Sequence, residues 1–244
     1  MTAGERPGVI GVIGGTGHQG LGLALRWAAA GLPVVIGSRS PERAEAAAAG
    51  VRAAVARMRA NDTPSAGQPS AGRSASTAGA TAVEGKENLE AARAAEIVVI
   101  TVPASAHAET LAAIAPTVSG KIVVDVTVPL EKNPSYAMRL PEGSAAEAAQ
   151  RTLGPEVLVV GAFHTVPAAL LQDVSRPVDC DVLVCGDDAA AKARVIALAQ
   201  AFGAHALDVG ALRQAHTLER MTALLIGLGR KLRRHELGVR ITGL

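Results

Sequence analysis

The sequence predicts an α/β protein built on a doubly wound, parallel sheet, and three observations carry that reading. Short runs of Val and Ile recur along the chain, too continuously apolar for strands with a wet face, so each reads as a strand buried on both sides. Ala- and Leu-rich helical stretches separate these runs, the alternation expected of parallel strands joined by crossover helices. The first run, Val9-Ile10-Gly11-Val12-Ile13, leads directly into Gly14-Gly15-Thr16-Gly17-His18-Gln19-Gly20 and then into a helix.

In that turn Gly15, Gly17 and Gly20 fit the spacing G-x-G-x-x-G between a strand and a helix, the fingerprint of a Rossmann-type dinucleotide fold. Gly15 is expected to allow the sharp turn, Gly17 to let a pyrophosphate touch backbone, and Gly20 to let helix and sheet approach. Thr16, His18 and Gln19 complete the turn. The helix over 18–30 offers free N–H groups and a positive dipole end to the phosphates. His18 is a filler position there, exposed or touching the ligand.

A second strand over 33–37 ends in Ser38-Arg39-Ser40-Pro41. Ser40 caps the next helix, with Pro41 at its first position and the helix running over 42–59. A fold that prefers NAD usually places Asp or Glu at the end of this strand. Ser38 and Arg39 stand there instead, with Arg43 a turn later, and a hydroxyl with two guanidinium groups suits the 2′-phosphate of NADP. Arginines on a solvated helix face are the plainer alternative.

Residues 60–80 are rich in Ser, Ala, Gly, Thr and Pro and read as a flexible insertion. A short strand over 81–83 and a short helix over 86–95 follow. The runs 96–103 and 121–127 are strands, with a helix over 106–115 between them. Ligands of such sheets lie at the carboxyl ends of strands, which puts Thr101, Val102 and Pro103, and the Thr127-Val128-Pro129 stretch, at the nicotinamide end. A helix over 144–153 and a strand over 157–163 lead into His164-Thr165-Val166-Pro167-Ala168-Ala169. A strand and turn over 181–188, a helix over 189–202 and a strand over 205–210 precede a last helix over 215–235. On that helix Leu218, Met221, Leu224, Leu225, Leu228 and Leu232 share one face, which needs the rest of the chain or a second subunit against it.

Composition bounds the function classes. The 244 residues carry a formal net charge of +2, with 49% hydrophobic and only 2% aromatic residues. Near-neutral charge gives no argument for nucleic acid, and aliphatic packing must carry the core. No run approaches the roughly 18–20 apolar residues of a spanning helix and no secretory signal is visible, so a soluble cytoplasmic protein is expected. Cys180 and Cys185 are read as reduced thiols on opposite faces of an extended run, sharing neither a disulfide nor a metal. No metal site is expected.

Taken together, Gly14-Gly15-Thr16-Gly17 with Gly20, Gly37-Ser38-Arg39, Thr101-Val102-Pro103, Ser144-Ala145-Ala146-Glu147, His164-Thr165-Val166-Pro167-Ala168-Ala169, Val184-Cys185-Gly186-Asp187-Asp188, Leu207-Asp208-Val209-Gly210 and Glu236-Leu237-Gly238 resemble the NADPH-dependent F420 reductases (F420H2:NADP+ oxidoreductases). The match covers the chain outside the insertion. The resemblance implies reversible hydride transfer between NADP(H) and the deazaflavin F420. It divides the chain into an NADP-binding Rossmann domain over 1–165 and a small C-terminal α/β domain over 166–244 that forms the acceptor cleft. Thr16, Ser38, Arg39 and Arg43 would hold NADP, and Ala162, His164, Thr165, Pro167 and Ala168 would line the F420 side. His164 is the candidate catalytic residue, as proton donor or as hydrogen-bonding anchor of the ring, the plain alternative being a strand-end histidine. A homodimer is expected. Two features depart from the family pattern: the insertion, and Ala104-Ser105-Ala106-His107, where a bulky aromatic residue is expected. They leave open another acceptor (a flavin, a metal complex or a small carbonyl compound) or a non-catalytic NADP sensor. The cations Arg230, Lys231, Arg233 and Arg234 could steer an anionic acceptor or simply suit a helix C-terminus.

Overall fold

A computed structural model describes residues 8–61 and 82–243, with the side chain of Asn61 undescribed. Strand and helix alternate through β1 Ile10–Ile13, α1 His18–Ala29, β2 Val34–Ser38, α2 Pro41–Asn61, β3 Val83–Glu87, α3 Asn88–Ala94, β4 Ile97–Ile100, α4 Ala104–Ile114 and β5 Ile122–Asp125. The chain continues with α5 Ala145–Leu153, β6 Leu158–Gly161, α6 Ala168–Gln172, β7 Asp181–Gly186, α7 Ala189–Gln200, β8 His205–Asp208 and α8 Ala215–Leu232. The strand expected over 81–83 is β3, which starts at Val83 and runs on to Glu87, taking the first two residues of the helix expected over 86–95. The expected insertion over 60–80 falls outside the described residues apart from residues 60 and 61, the last two of α2.

One sheet holds every strand, in the order β3-β2-β1-β4-β5-β6-β7-β8. The first six are mutually parallel. β7 runs antiparallel to β6, pairing Gly161 with Cys185, and β8 is parallel to β7. The strand order reverses direction of growth between β1 and β4, and the crevice at their carboxyl ends is where such sheets bind ligands.

The strands are buried because alternate residues feed two cores. Ile10, Val12, Ile36 and Val99 face the layer of α1, α2 and α7; Ile13, Val35, Val98 and Ile100 face α3, α4 and α5. Cys180 and Cys185 belong to opposite cores, and burial pushes their thiols up to about 11 and about 12. Aliphatic side chains fill most of this interior, but both phenylalanines and the one tryptophan meet in a single cluster. Trp27 stands edge-on to Phe163 at 5.8 Å, and Phe202 lies 6.4–6.5 Å from both.

Side chains fix the starts of α2, α5 and α7. The Ser40 hydroxyl accepts from Arg43 N–H at 3.2 Å, Ser144 accepts from Glu147 N–H at 3.1 Å, and Asp188 accepts from Ala191 N–H at 2.7 Å. The last helix stops at Leu232, three residues before the expected end, because Arg233 turns left-handed (φ 55°) and Arg234 N–H bonds back to Gly229 O. Among the described residues no helix is long and apolar enough to cross a membrane.

Candidate functional site

The glycine turn after β1 opens onto a cleft of about 660 Å³ at the switch point. The left-handed residue of the turn is Gly14 (φ 69°), not Gly15. A Cβ at Gly14 would also sit 2.4 Å from Val102. Gly15 and Gly20 line neither of the clefts described here; they serve close packing, since a Cβ on Gly20 would lie 2.7 Å from the Gly15 Cα and one on Gly15 2.7 Å from Val12 O. At Gly17 a Cβ would meet only Gly14 O, at 3.9 Å, so the space above the turn is open. No side chain caps α1. Its first amides therefore face the cleft without a built-in partner and suit an anion.

Thr16, Gly17, His18 and Gln19 line the inner part of this cleft; Ser38, Arg39 and Arg43 line the end beside β2. Arg39 and Arg43 are exposed, and among the described residues neither has an ion-pair partner. Two guanidinium groups facing the same opening are what a 2′-phosphate needs, so the residues present fit NADP. Val102, Pro103 and Val126 form the opposite, apolar end. Thr101 is at the border, its hydroxyl donating to Ile13 O at 2.9 Å and so tying β4 to β1. Val126 lines the cleft where the Thr127-Val128-Pro129 stretch was expected to; Thr127 is buried with an unpartnered hydroxyl.

A second cleft, of about 230 Å³, lies between the chain after β6 and α8. His164, Thr165, Val166 and Pro167 form one side, and Thr222, Leu225 and Ile226 the other. Arg230, Arg234 and His235 also line it, whereas Lys231 and Arg233 do not. His164 is buried at 5% exposure, and neither ring nitrogen has a hydrogen-bond partner among the described residues. Burial pushes its imidazole down to about 4, against an upward pull from Asp125. The ring is therefore neutral at pH 7, which favours the anchoring role over that of a standing acid. Of the residues expected here, Ala162 is fully buried at the end of β6 and Ala168 opens α6, and neither lines this cleft.

The turn that carries His164 is unusual. Phe163, fully buried, holds a left-handed φ of 62°, a conformation that costs a bulky residue on the order of 1–3 kcal/mol unless its surroundings fix it. The Gln19 side-chain amide donates to Phe163 O at 3.2 Å and to Val166 O at 3.3 Å, and so joins the two clefts.

Three buried polar groups near these elements were not found from the sequence. Asn88 accepts from the Gly14 N–H at 3.2 Å and braces the glycine turn. His107 on α4 meets Asp125, fully buried at the end of β5, at 2.5 Å. Burial alone would lower the His107 pKa, but the bond to Asp125 and its charge raise it above the ordinary value. Glu219 on α8 is 2% exposed and accepts from Ala145 N–H at 2.8 Å, capping α5 from outside. Burial, helped by the charge of Asp125, pushes it up to about 8 against the backbone bonds at Ala145 and Ala146. A signal for Glu219 existed: it lies on the i, i+4, i+8 stripe of Ala215 and Ala223, both buried.

Residues 9–129 match the profile of a family described as NADP oxidoreductase, coenzyme F420-dependent. The F420-dependent NADP reductase of Methanothermobacter thermautotrophicus is 41% identical over 241 residues, covering 96% of this chain and 95% of that one. The protein of the same name from Methanocaldococcus jannaschii is 38% identical over 240 residues, 96% of this chain and 98% of that one. A solved structure from Arthrobacter sp. FB24, provisionally described as an F420-dependent NADP reductase, superposes with a TM-score of 0.69 at 28% identity, covering 96% and 99% of the two chains. With relatives this similar over nearly its whole length, the chain belongs to the F420-dependent NADP reductase family.

Proposed function

We propose that the protein transfers a hydride reversibly between NADP(H) and coenzyme F420, with NADP in the cleft at α1 and F420 against the His164–Pro167 turn. The observation that carries this reading is the adjacency of the two clefts through Gln19: among the described residues, one has guanidinium groups without ion-pair partners, suited to a 2′-phosphate, and the other a neutral imidazole with neither nitrogen hydrogen-bonded. When bound, the two cofactors would supply the redox chemistry, a hydride passing between them while the proton consumed in F420 reduction comes from solvent and returns there in the reverse direction; the chain must align two rings and keep bulk water out. Val102, Pro103 and Val126 provide an apolar wall where the nicotinamide would lie. His164 offers a hydrogen bond to a polar ring edge from a dry position. Arg230 and Arg234, exposed and without ion-pair partners among the described residues, suit an acceptor with an anionic tail.

In this reading residues 1–165 hold the dinucleotide and 166–244 close the acceptor cleft, a division that falls between β6 and β7, where strand direction reverses. A homodimer is part of the proposal, supported by the exposed leucines of α8. So is a cytoplasmic location, supported by the two free cysteines, a usage common in reducing compartments.

The test is spectrophotometric. Purified protein is mixed with NADPH and F420, and loss of the oxidised deazaflavin absorbance is followed, with NADH and FMN run in parallel. Loss with the NADPH and F420 pair alone is expected. Binding of NADPH without any loss, or faster oxidation of NADPH by FMN, would reassign the acceptor.

A further inference from the structure

The two clefts are held in register by one helix. Gln19 stands in the first turn of α1 and lines the dinucleotide cleft, yet its amide nitrogen points away from that opening, to the carbonyls of Phe163 and Val166. Those two carbonyls bracket His164 and Thr165. A glutamine amide has two N–H donors, and both are directed at this turn, leaving only its carbonyl oxygen for a ligand. The same helix holds the turn a second way, because Trp27 stands edge-on to the Phe163 ring at 5.8 Å and 82°. Further along, Arg26 donates to the carbonyls of Leu170, Leu171, Asp173 and Arg176 at 2.6–3.0 Å. Gln172 in turn donates to His18 O at 2.8 Å. Helix α1 and the segment from Phe163 to Arg176 thus form one body, and Gln19 is its strut nearest the clefts.

We propose that Gln19 is a positioning residue for hydride transfer: its amide fixes the Phe163–Val166 turn relative to the dinucleotide turn and so sets the separation of the donor and acceptor rings. This rests on the placement of F420 against that turn. A left-handed phenylalanine persists only where its surroundings over-determine it. Without the two bonds from Gln19, the Phe163 and Val166 carbonyls lose their link to the helix whose N-terminus receives the pyrophosphate. The His164 side of the gap is then free to drift while the NADP side stays in place. Small errors of position are costly in transfer reactions, where about 1 Å of misplacement can cost on the order of 100-fold in rate.

Two variants separate this from a fold defect or a simple cofactor contact. Gln19→Leu keeps bulk and removes the donors. Gln19→Glu presents an acceptor to two carbonyls and can donate one bond only when protonated. The readouts are hydrogen exchange of the Val166 amide in the cofactor-free protein, kcat and KM with NADPH and F420, and the pH dependence of kcat. For Gln19→Leu, Val166 exchange is expected to quicken by about tenfold or more and kcat to fall by roughly 10- to 100-fold, with the KM for NADPH within about twofold of wild type. Gln19→Glu is expected to recover turnover as the pH falls, which Gln19→Leu does not. A raised KM for NADPH with kcat unchanged would make Gln19 a cofactor contact and overturn the proposal. So would unaltered Val166 exchange, or identical pH profiles for the two variants. A wild type inert toward F420 would instead overturn the placement of F420 itself, and is distinguished by that result in the unmutated protein.

Discussion

At the scale of single residues, the proposed choice of NADP over NAD turns on Arg39 and Arg43. Both guanidinium groups face the cleft and neither is ion-paired among the described residues, so they are available to a phosphate without breaking an existing bond. Charge-assisted hydrogen bonds of this kind contribute about 1.5–3 kcal/mol each. Arg39→Glu is therefore expected to raise the KM for NADPH by roughly 10- to 100-fold and to change that for NADH by no more than about threefold. Steady-state kinetics with both nucleotides check this, and an equal loss for the two would remove the 2′-phosphate from Arg39. This part of the site was legible in the sequence because Ser38, Arg39 and Arg43 are neighbours along the chain at a strand end. Asn88 was not, since it braces Gly14 from 74 residues away. Nor was the Asp125–His107 pair, since nothing local to either residue points to the other.

At the scale of elements, Glu219 joins α8 to the N-terminus of α5. Its pKa of about 8 has a definite consequence for stability. Between its ordinary value of 4.5 and about 8 the folded chain keeps a proton that the unfolded chain releases. Stability from this group is complete below 4.5 and is lost as the pH rises toward and beyond 8. Glu219→Gln keeps the acceptor for Ala145 N–H and removes the ionisation. The melting temperature of this variant, relative to wild type, is expected to be higher at pH 8.5 than at pH 5, by on the order of 5 °C. Thermal melts at the two pH values measure it, and a constant difference would mean that Glu219 is ionised in the fold. Helix α6, at five residues, carries too little period to be read, and α8 was read about three residues long because no glycine or proline marks its end. β3 was read short, its last two residues given to the following helix, because Val83-Glu84-Gly85-Lys86-Glu87 carries no apolar run; the other long elements announced themselves through apolar runs and capping residues.

At the scale of the whole molecule, strand periodicity tells which side chains go inward but not which way a strand runs. The resemblance implies a separate α/β unit after residue 165, and nothing in the strand pattern indicates that β7 and β8 continue the same sheet, reversed. The same limit applies to assembly. Leu224, Leu228 and Leu232 repeat at four-residue intervals on α8 and stay 67%, 42% and 52% exposed in the single chain. Apolar side chains aligned along one exposed helix face suit the second copy proposed above. Sedimentation velocity is expected to give a dimer, and Leu224→Lys with Leu228→Lys a monomer that still binds NADP. A wild-type monomer at micromolar concentration would assign that face to something else.

The chain holds a single tryptophan. Trp27 is fully buried, its indole N–H donates to Leu198 O at 3.0 Å, and it lies on the helix that opens at the dinucleotide turn while touching Phe163. The molecule therefore carries one indole fluorophore, packed against the turn that joins its two clefts. Emission from that indole overlaps the absorption of reduced nicotinamide, so light given to Trp27 can leave through a bound NADPH. A shift in the colour of its emission would report loosening around Phe163. Occupancy of one cleft and order in the wall of the other can thus be read from the same optical signal, without a label.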